Sequence, residues 1–314
     1  MKVLKFGGTS VGTAENIKII VSLLQKQSQS DPDLSVVVSA FGGVTDLLIR
    51  ISELAQQQDN SYKTLFTELK ERHYSTIDAL FTAPDGLAVK AHVSSVLSEL
   101  EQITHGVYLL RELSKRSLDM IMSFGERLSA YIIAKYSTSV GLNAKFVDTR
   151  PLVITDDHFG AARVQFERTV ANIRSHYQEH PGVKIITGFI ASSPDGVTTT
   201  LGRGGSDFTA SIFGAALKAD EIQIWTDVNG VMTSNPVKVP TAFPLKTLSY
   251  EEAMELSHFG AKVLHPPTIQ PALEQNISLK IMNTFQPDFP GTLIQKEPEA
   301  NHFIIKGISS IQDI

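Results

Sequence analysis

The sequence contains no cysteine. That excludes disulfides, thiolate zinc sites and cysteine nucleophiles; it also suits a reducing compartment, and a cytoplasmic location is expected. There is no excess of positive charge. Lys and Arg number 28 against 33 Asp and Glu, for a net charge of −5, whereas binding a phosphate backbone needs a basic face that releases counterions. No nucleic-acid partner is expected. No apolar run approaches the ~18 residues of a membrane span, and Met1-Lys-Val-Leu-Lys-Phe-Gly-Gly reaches glycine before a secretory-type stretch can form. No membrane association is expected. What is present is ordinary for a folded enzyme: 42% hydrophobic and 19% charged residues, with 21 Gly and 14 Pro. The 314 residues exceed the about 250–300 that one core usually holds, which predicts two lobes.

Residues 3–6 read as a buried strand stopped by Gly7-Gly8, and from Thr13 the apolar positions Ile17, Ile20, Val21 and Leu24 keep helical spacing. The unit recurs as residues 34–38, then Ser39-Ala-Phe-Gly-Gly-Val-Thr45, then Leu47, Leu48, Ile51 and Leu54. Two strand-loop-helix units predict a parallel sheet. Residues 47–139 carry no strand pattern and predict a helical subdomain beside that sheet. Strands are expected again at 144–147, 152–154 and 183–187, with a helix over 164–177. A turn at 192–196 leads to a strand at 197–201, the glycine-rich Gly202-Arg-Gly-Gly-Ser-Asp207 and a helix over 208–217. A strand at 221–225, helices at 250–257 and from Pro266-Pro267, and strands at 277–282 and 292–294 follow. Residues 303–308 read as a lone strand with nothing after it to pack on.

Lys5-Phe-Gly-Gly-Thr-Ser10 sits where a parallel strand ends, the usual ligand-facing edge of an open α/β sheet. Glycines let backbone N–H groups approach a phosphate, and Lys5 supplies a point charge for transferring oxygens; a tight turn with a solvated lysine is the plain alternative. It is not a P-loop, because Thr13 stands where that motif needs Lys. In Gly202–Asp207, Arg203 suits bidentate recognition of a carboxylate or phosphate, while Ser206 and Asp207 also read as helix caps. Gly202 and Gly204 match two glycines of a dinucleotide fingerprint, but Asp207 occupies the third position, where it would repel a pyrophosphate. Glu126, in Ser123-Phe-Gly-Glu-Arg127, reads either as a first-turn acid favoured by a helix dipole or as a holder of an ammonium group. Asn229-Gly230 is a hairpin-turn signal. His258 and His265 lack a third ligand, so no metal site is expected.

In combination, Lys-Phe-Gly-Gly-Thr-Ser-Val at 5–11, Ser39 to Thr45, Ser-Phe-Gly-Glu at 123–126, Thr-Thr-Thr-Leu-Gly-Arg-Gly-Gly-Ser-Asp at 198–207, Trp-Thr-Asp-Val at 225–228 and Phe-Gly-Ala-Lys-Val-Leu-His-Pro at 259–266 resemble the aspartate kinases of the amino acid kinase family. The resemblance runs in order over residues 2–295. It implies a three-layer αβα fold with a mainly parallel eight-stranded sheet in two lobes: a catalytic domain over 1–296, with an aspartate-binding lobe at about 1–190 and an ATP-binding lobe at about 191–296. The implied reaction takes ATP and L-aspartate, with Mg²⁺ held mainly through the phosphates. Lys5 and Asp207 would be catalytic, with Lys5, Gly7 and Gly8 holding the transferred phosphate. Ser39, Thr45, Glu126, Phe189, Arg203, Gly205, Ser206 and Asp207 would line the aspartate site. Thr226, Asp227 and Lys262 would contact the nucleotide, and Met232 and Val237 stand at two further nucleotide-side positions.

The family pattern departs here: Met232, Asn235 and Val237 replace its tyrosine, aspartate and arginine, and Lys238 lies next door as a substitute cation. A nucleotide-binding pseudokinase therefore stays open, as does, more remotely, a dinucleotide-binding dehydrogenase. Residues 297–314 resemble a linker and the first strand of an ACT regulatory domain. The resemblance thus implies a truncated piece of a regulated homo-oligomer, in some members fused to homoserine dehydrogenase.

Overall fold

Strand β1 (Lys2–Phe6) alternates across the sheet: Leu4 and Phe6 enter one hydrophobic core and Val3 the other, which leaves Lys5 on the Val3 side. The computed structural model describes residues 1–234, 238–258, 265–297 and 306–308. Thr13 caps α1 (Ala14–Ser28), its hydroxyl accepting from the Asn16 amide, and β2 (Ser35–Val38) returns parallel beside β1. Helices α2 (Val44–Gln56), α3 (Tyr62–Leu80), α4 (Asp85–Leu110) and α5 (Lys115–Ser139) follow without a strand between them, as the period predicts. They pack with α1 over one sheet face.

The chain continues through β3 (Ala144–Val147), α6 (Phe166–Glu179), β4 (Val183–Thr187), β5 (Ile190–Ser192), β6 (Thr198–Thr200), α7 (Gly205–Leu217) and β7 (Glu221–Thr226). It ends in β8 (Thr247–Ser249), α8 (Tyr250–His258), α9 (Pro266–Glu274), β9 (Ser278–Asn283) and β10 (Thr292–Gln295). The main sheet has eight strands in the order β3-β4-β2-β1-β7-β9-β10-β8. All pairs are parallel except β9 with β10. A second core on the opposite face gathers apolar side chains of α6 to α9. The three-layer αβα expectation holds, and the central strands read as continuous apolar runs because helices cover both faces.

Several local expectations are corrected. Residues 152–154 form no strand; a turn in which the Leu152 and Val153 amides bond to the Thr149 carbonyl leaves a single bridge, Ile154 to Ser192. The expected strand at 197–201 pairs outside the main sheet, antiparallel with β5, a strand the sequence pattern did not mark. Helix α6 begins two residues later than its apolar spacing suggests, and α7 begins three residues earlier. Asn229-Gly230 joins no hairpin: β7 pairs parallel with β1 and β9 on its two sides. Of the tail, residues 303–305 lie outside the described residues, while Lys306–Ile308 is not a strand and does have a partner surface. The Ile308 amide donates to the Thr233 carbonyl at 2.8 Å and Lys306 pairs with Glu252 at 2.7 Å.

Ser123–Glu126 lies in the middle of α5, not near a helix start. Gly125 is there for contact: a Cβ on it would fall 2.8 Å from the Ala40 Cβ. Gly125→Ala should therefore destabilise the fold, because overpacking of about 1–3 kcal/mol outweighs the ~1 kcal/mol that alanine adds to a helix interior. Urea unfolding reads the balance, and an unchanged or higher midpoint would show that the seam between α5 and the 39–45 loop has slack.

Candidate active site

Three glycine-containing turns, after β1, β2 and β6, meet at one cavity. The Gly42 amide donates to the Gly8 carbonyl at 2.9 Å, and a Cβ on Gly8 would lie 3.1 Å from the Ala40 oxygen and 3.2 Å from the Gly42 Cα. Only hydrogen at Gly8 and Gly42 permits that approach. The third turn, Gly202 to Gly204, holds both glycines at positive φ, 74° and 72°. Phe189 adopts φ 67° after β4, its amide donating to the Thr209 hydroxyl. Its ring would lie 2.7 Å from a Cβ on Gly205, so Gly205 is the residue that lets α7 start against Phe189.

These turns enclose a cavity of about 320 Å³ whose walls include Lys5, Ser39, Thr45, Glu126, Ser206 and Asp207. Gly8, Phe189 and Gly205 of the expected residues also line it, whereas Gly7 and Arg203 do not. Two helices aim their first turns at it. Helix α2 is capped by Gly43 and α7 by Gly204, neither with a side-chain cap; the Val44 and Gly205 amides bond to the Phe41 and Gly202 carbonyls at 2.9 and 3.0 Å, and the next amides of each first turn, those of Thr45 and Asp46 and of Ser206 and Asp207, stay available to an anion. Ser206 and Asp207 are thus first-turn residues of α7 rather than caps. Ser206 accepts from Ser39 at 3.0 Å, and Asp207 reaches across to Lys5, Nζ to Oδ1 2.8 Å, both side chains mostly buried. The alternation of β1 makes this pair, since Lys5 leaves the sheet on the α7 face.

Glu126 is 3% exposed. Its Oε1 accepts from the Ala40 amide at 3.1 Å, whereas Oε2 is buried with no hydrogen-bond partner. Burial pushes its pKa up to about 8, the Ala40 amide acting in the opposite direction. Under the same loop, His73 of α3 stacks on Phe41 with ring centroids 5.1 Å apart. Burial holds its pKa down at about 4, so a neutral imidazole supports the 39–45 segment.

Other expected residues lie elsewhere. Gly7 borders the cavity through its neighbour, a Cβ there falling 3.4 Å from the Lys5 Nζ. Arg203 is exposed at the rim and pairs with no described residue. Thr226 and Asp227 lie at the carboxyl end of β7, one strand across from β1, the Thr226 hydroxyl bonding to Asp227 at 3.1 Å. Met232 is half-buried and bridges to Pro244. Asn235, Val237 and Lys262 lie outside the described residues. Among the described residues no group of three or more His, Asp or Glu side chains is placed to hold a metal, and no helix is long and apolar enough to cross a membrane.

Sequence reasoning missed several residues that build the site. Ser10 joins its hydroxyl to Thr284 at 2.7 Å and to the Trp225 carbonyl at 3.4 Å, tying the first turn to β7 and the loop after β9. Ser129 donates to the Ser39 carbonyl at 2.7 Å. Asp119, buried in α5, bonds to Thr200 and Gly160. A signal existed: Asp119, Glu126 and Ser129 are polar residues on the stripe of α5 that also carries the buried Met122 and Ile133.

A mainly parallel sheet with a glycine-lined, lysine-bearing cavity at its carboxyl edge is the frame of a small-molecule kinase. The chain belongs to the amino acid kinase family, whose profile matches residues 1–283. It is similar to aspartokinase 1, chloroplastic, of Arabidopsis thaliana, 36% identical over 98% of this chain and 54% of that protein. It is also similar to the Arabidopsis bifunctional aspartokinase/homoserine dehydrogenase 2, 36% identical over 99% of this chain and 34% of that one. Among solved structures, E. coli aspartokinase III in complex with aspartate and ADP superposes with a TM-score of 0.86 at 28% identity, over 96% of this chain and 65% of that chain. The chain therefore spans between a third and two thirds of the length of these relatives.

The folded protein holds a proton on Glu126 that the unfolded chain releases near the ordinary value of 4.5, so stability falls as pH rises from about 4.5 to 8. Glu126 alone contributes a decline of up to about 1.4 kcal/mol per pH unit across that window. Glu126→Gln should flatten it. Urea unfolding at several pH values should show the variant gaining on wild type as pH rises; parallel curves would mean that the carboxyl titrates as in water.

Proposed function

We propose that this chain is the catalytic domain of an aspartate kinase, moving the terminal phosphoryl group of ATP onto the side-chain carboxylate of L-aspartate to give ADP and 4-phospho-L-aspartate. The observation that carries this reading is the cavity itself. It sets a buried acid with one unpartnered oxygen opposite two uncapped helix starts and a lysine. That set suits a small zwitterion: the ammonium group meets Glu126 Oε2 and the carboxylates meet the amides of α2 and α7, with Arg203 at the rim as a bidentate grip. The kinship to aspartokinases supports it. On this reading residues 1–190 carry the acceptor site and 191–296 the nucleotide side, and 297–314 lead toward an ACT regulatory domain.

Phosphoryl transfer asks mainly for position and charge. The attacking carboxylate is ionised at neutral pH, so no strong base is needed. Ser39, Thr45 and Ser206 orient it, and Lys5 with the Gly7 and Gly8 backbone neutralises the oxygens of the moving group. Asp207 keeps Lys5 extended into the cavity before substrate arrives. Thr226 and Asp227 face the nucleotide from the neighbouring strand. Mg²⁺ bound with the nucleotide would be held mainly by the phosphates and would supply charge neutralisation there. The product stands at the entry to lysine, threonine and methionine synthesis in the cytoplasm, and the parent protein is a homo-oligomer assembled through its ACT domains.

Hydroxylamine trapping of acyl phosphate with MgATP and aspartate tests the reaction; nucleotide binding without hydroxamate would establish a pseudokinase instead. Lys5→Ala should lower kcat by about 10²–10³ while moving the aspartate KM far less, and a kcat within about threefold of wild type would remove Lys5 from the mechanism. Arg203→Lys keeps the charge but loses the planar fork, so aspartate KM should rise by about tenfold, a loss of one charge-assisted bond. An aspartate KM equal to wild type would take Arg203 out of substrate recognition.

A further inference from the structure

Asp119 is 1% exposed, a position a carboxylate tolerates only when fully satisfied. Its Oδ2 accepts from the backbone amides of Gly160 at 2.9 Å and Thr200 at 3.0 Å, and its Oδ1 from the Thr200 hydroxyl at 2.8 Å. Both partners stand directly behind the glycine-rich turn. Thr200 ends β6 two residues before Gly202, and a Cβ on Gly202 would lie 3.2 Å from both the Gly160 oxygen and the Ala161 Cβ. The Thr200 carbonyl accepts from the Ala162 amide at 2.9 Å, closing the turn onto the strand. On the other side of the bond is α5, which brings Glu126 to the cavity seven residues later, nearly two turns along the same face.

We infer that Asp119 is a positioning residue for the acceptor site: it joins the helix that carries Glu126 to the strand and turn that carry Gly202–Asp207, and so sets the gap in which the amino acid is held. The inference rests on the reading of the cavity as the aspartate site. One small zwitterion must be gripped from both walls at once. Displacement of one wall by about 1 Å forfeits the contacts on that side while leaving the nucleotide side in place. A carboxylate suits the task because three donors converge and no acceptor faces it. Asparagine is a workable substitute: its carbonyl serves the two amides, and its NH₂ donates to the Thr200 oxygen once the hydroxyl hydrogen turns away.

The test combines kinetics with hydrogen exchange on Asp119→Ala and Asp119→Asn. The alanine variant should raise the aspartate KM about tenfold or more, with the ATP KM within about twofold, and asparagine should restore both to within about threefold. In the substrate-free protein, amides of residues 198–207 should exchange about tenfold or more faster in the alanine variant and at the wild-type rate in the asparagine one. An aspartate KM and 198–207 exchange that stay at wild-type values in Asp119→Ala, even with a lower Tm, would reduce Asp119 to a structural anchor and overturn the inference. Wild-type protein that makes no acyl phosphate would refute the proposed reaction instead, and the exchange result alone would then decide the coupling. If the alanine variant does not fold, Thr200→Val decides: it deletes one of the bonds at conserved volume, and the aspartate KM should rise about threefold. No rise would overturn the inference equally.

Discussion

The constraint on which the cavity depends is the contact of two backbones, Gly7-Gly8 after β1 and Gly42 after β2. Parallel neighbours end at the same level, so their exit loops must share one small volume, and here they do so with an amide-to-carbonyl bond of 2.9 Å between Gly42 and Gly8. Everything in the cavity is measured from that contact. It puts Ser39 and Ala40 beside α5, where Glu126 and Ser129 bond to their backbone. It also starts α2 at Gly43, so that its first turn lines the cavity that holds Lys5. A side chain at either glycine would part the loops, and the acid, the lysine and the two helix starts would no longer face one ligand.

The buried polar groups around this contact follow a consistent logic. Asp119 has both oxygens accepting from protein donors, and it joins two walls of the cavity. Glu126 has one oxygen satisfied and one left without a partner. An unsatisfied buried oxygen is costly in the empty protein, and the cost is lowered by keeping the proton, which is why burial raises its pKa. On the proposed reading the same deficit is an affinity reserve, since an ammonium group supplies the missing donor and the missing charge together. Lys5 and Asp207 show the third arrangement, two charges that neutralise each other.

Much of the architecture was legible because helices and buried strands leave periods in the sequence: the helical block of α2 to α5, the strands β1, β2, β4 and β7, and the glycine turns that carry Lys5 and Asp207. Two of the errors share one cause. Gly125 and the Gly202–Gly205 run were read as punctuation, marking a helix start and a late beginning for α7. In the fold Gly125 serves contact with Ala40, and α7 starts at Gly205 itself because Phe189 crowds that position. Ser10 and His73 were invisible for a different reason. Each acts through a partner far away in the chain, Thr284 or Phe41, and no local pattern encodes such a pair; Asp119 shows in the stripe of α5, but its partner Thr200 does not.

The strand order explains how, in the proposed reaction, one lysine can serve two ligands. From β1 the chain moves through α1 to β2 on one side, and the later strands β7 and β9 add on the other, so the direction of winding reverses between β1 and β7. Helices α1 and α7 consequently lie on opposite faces of the sheet, and their loops diverge at the carboxyl edge to leave a crevice there. Ser39, Thr45 and Glu126, the residues proposed for the acceptor, sit on the β2 side of that crevice, and Thr226 and Asp227, proposed for the nucleotide, sit on the β7 side. Only the end of β1 borders both. On the proposed reaction, a group passing from one side to the other has to cross in front of Lys5, Gly7 and Gly8. Ser10, bonded to the Trp225 carbonyl and to Thr284, holds the two sides in register while it does. The placement of the cation is therefore a consequence of topology: any residue one strand to either side would reach a single ligand.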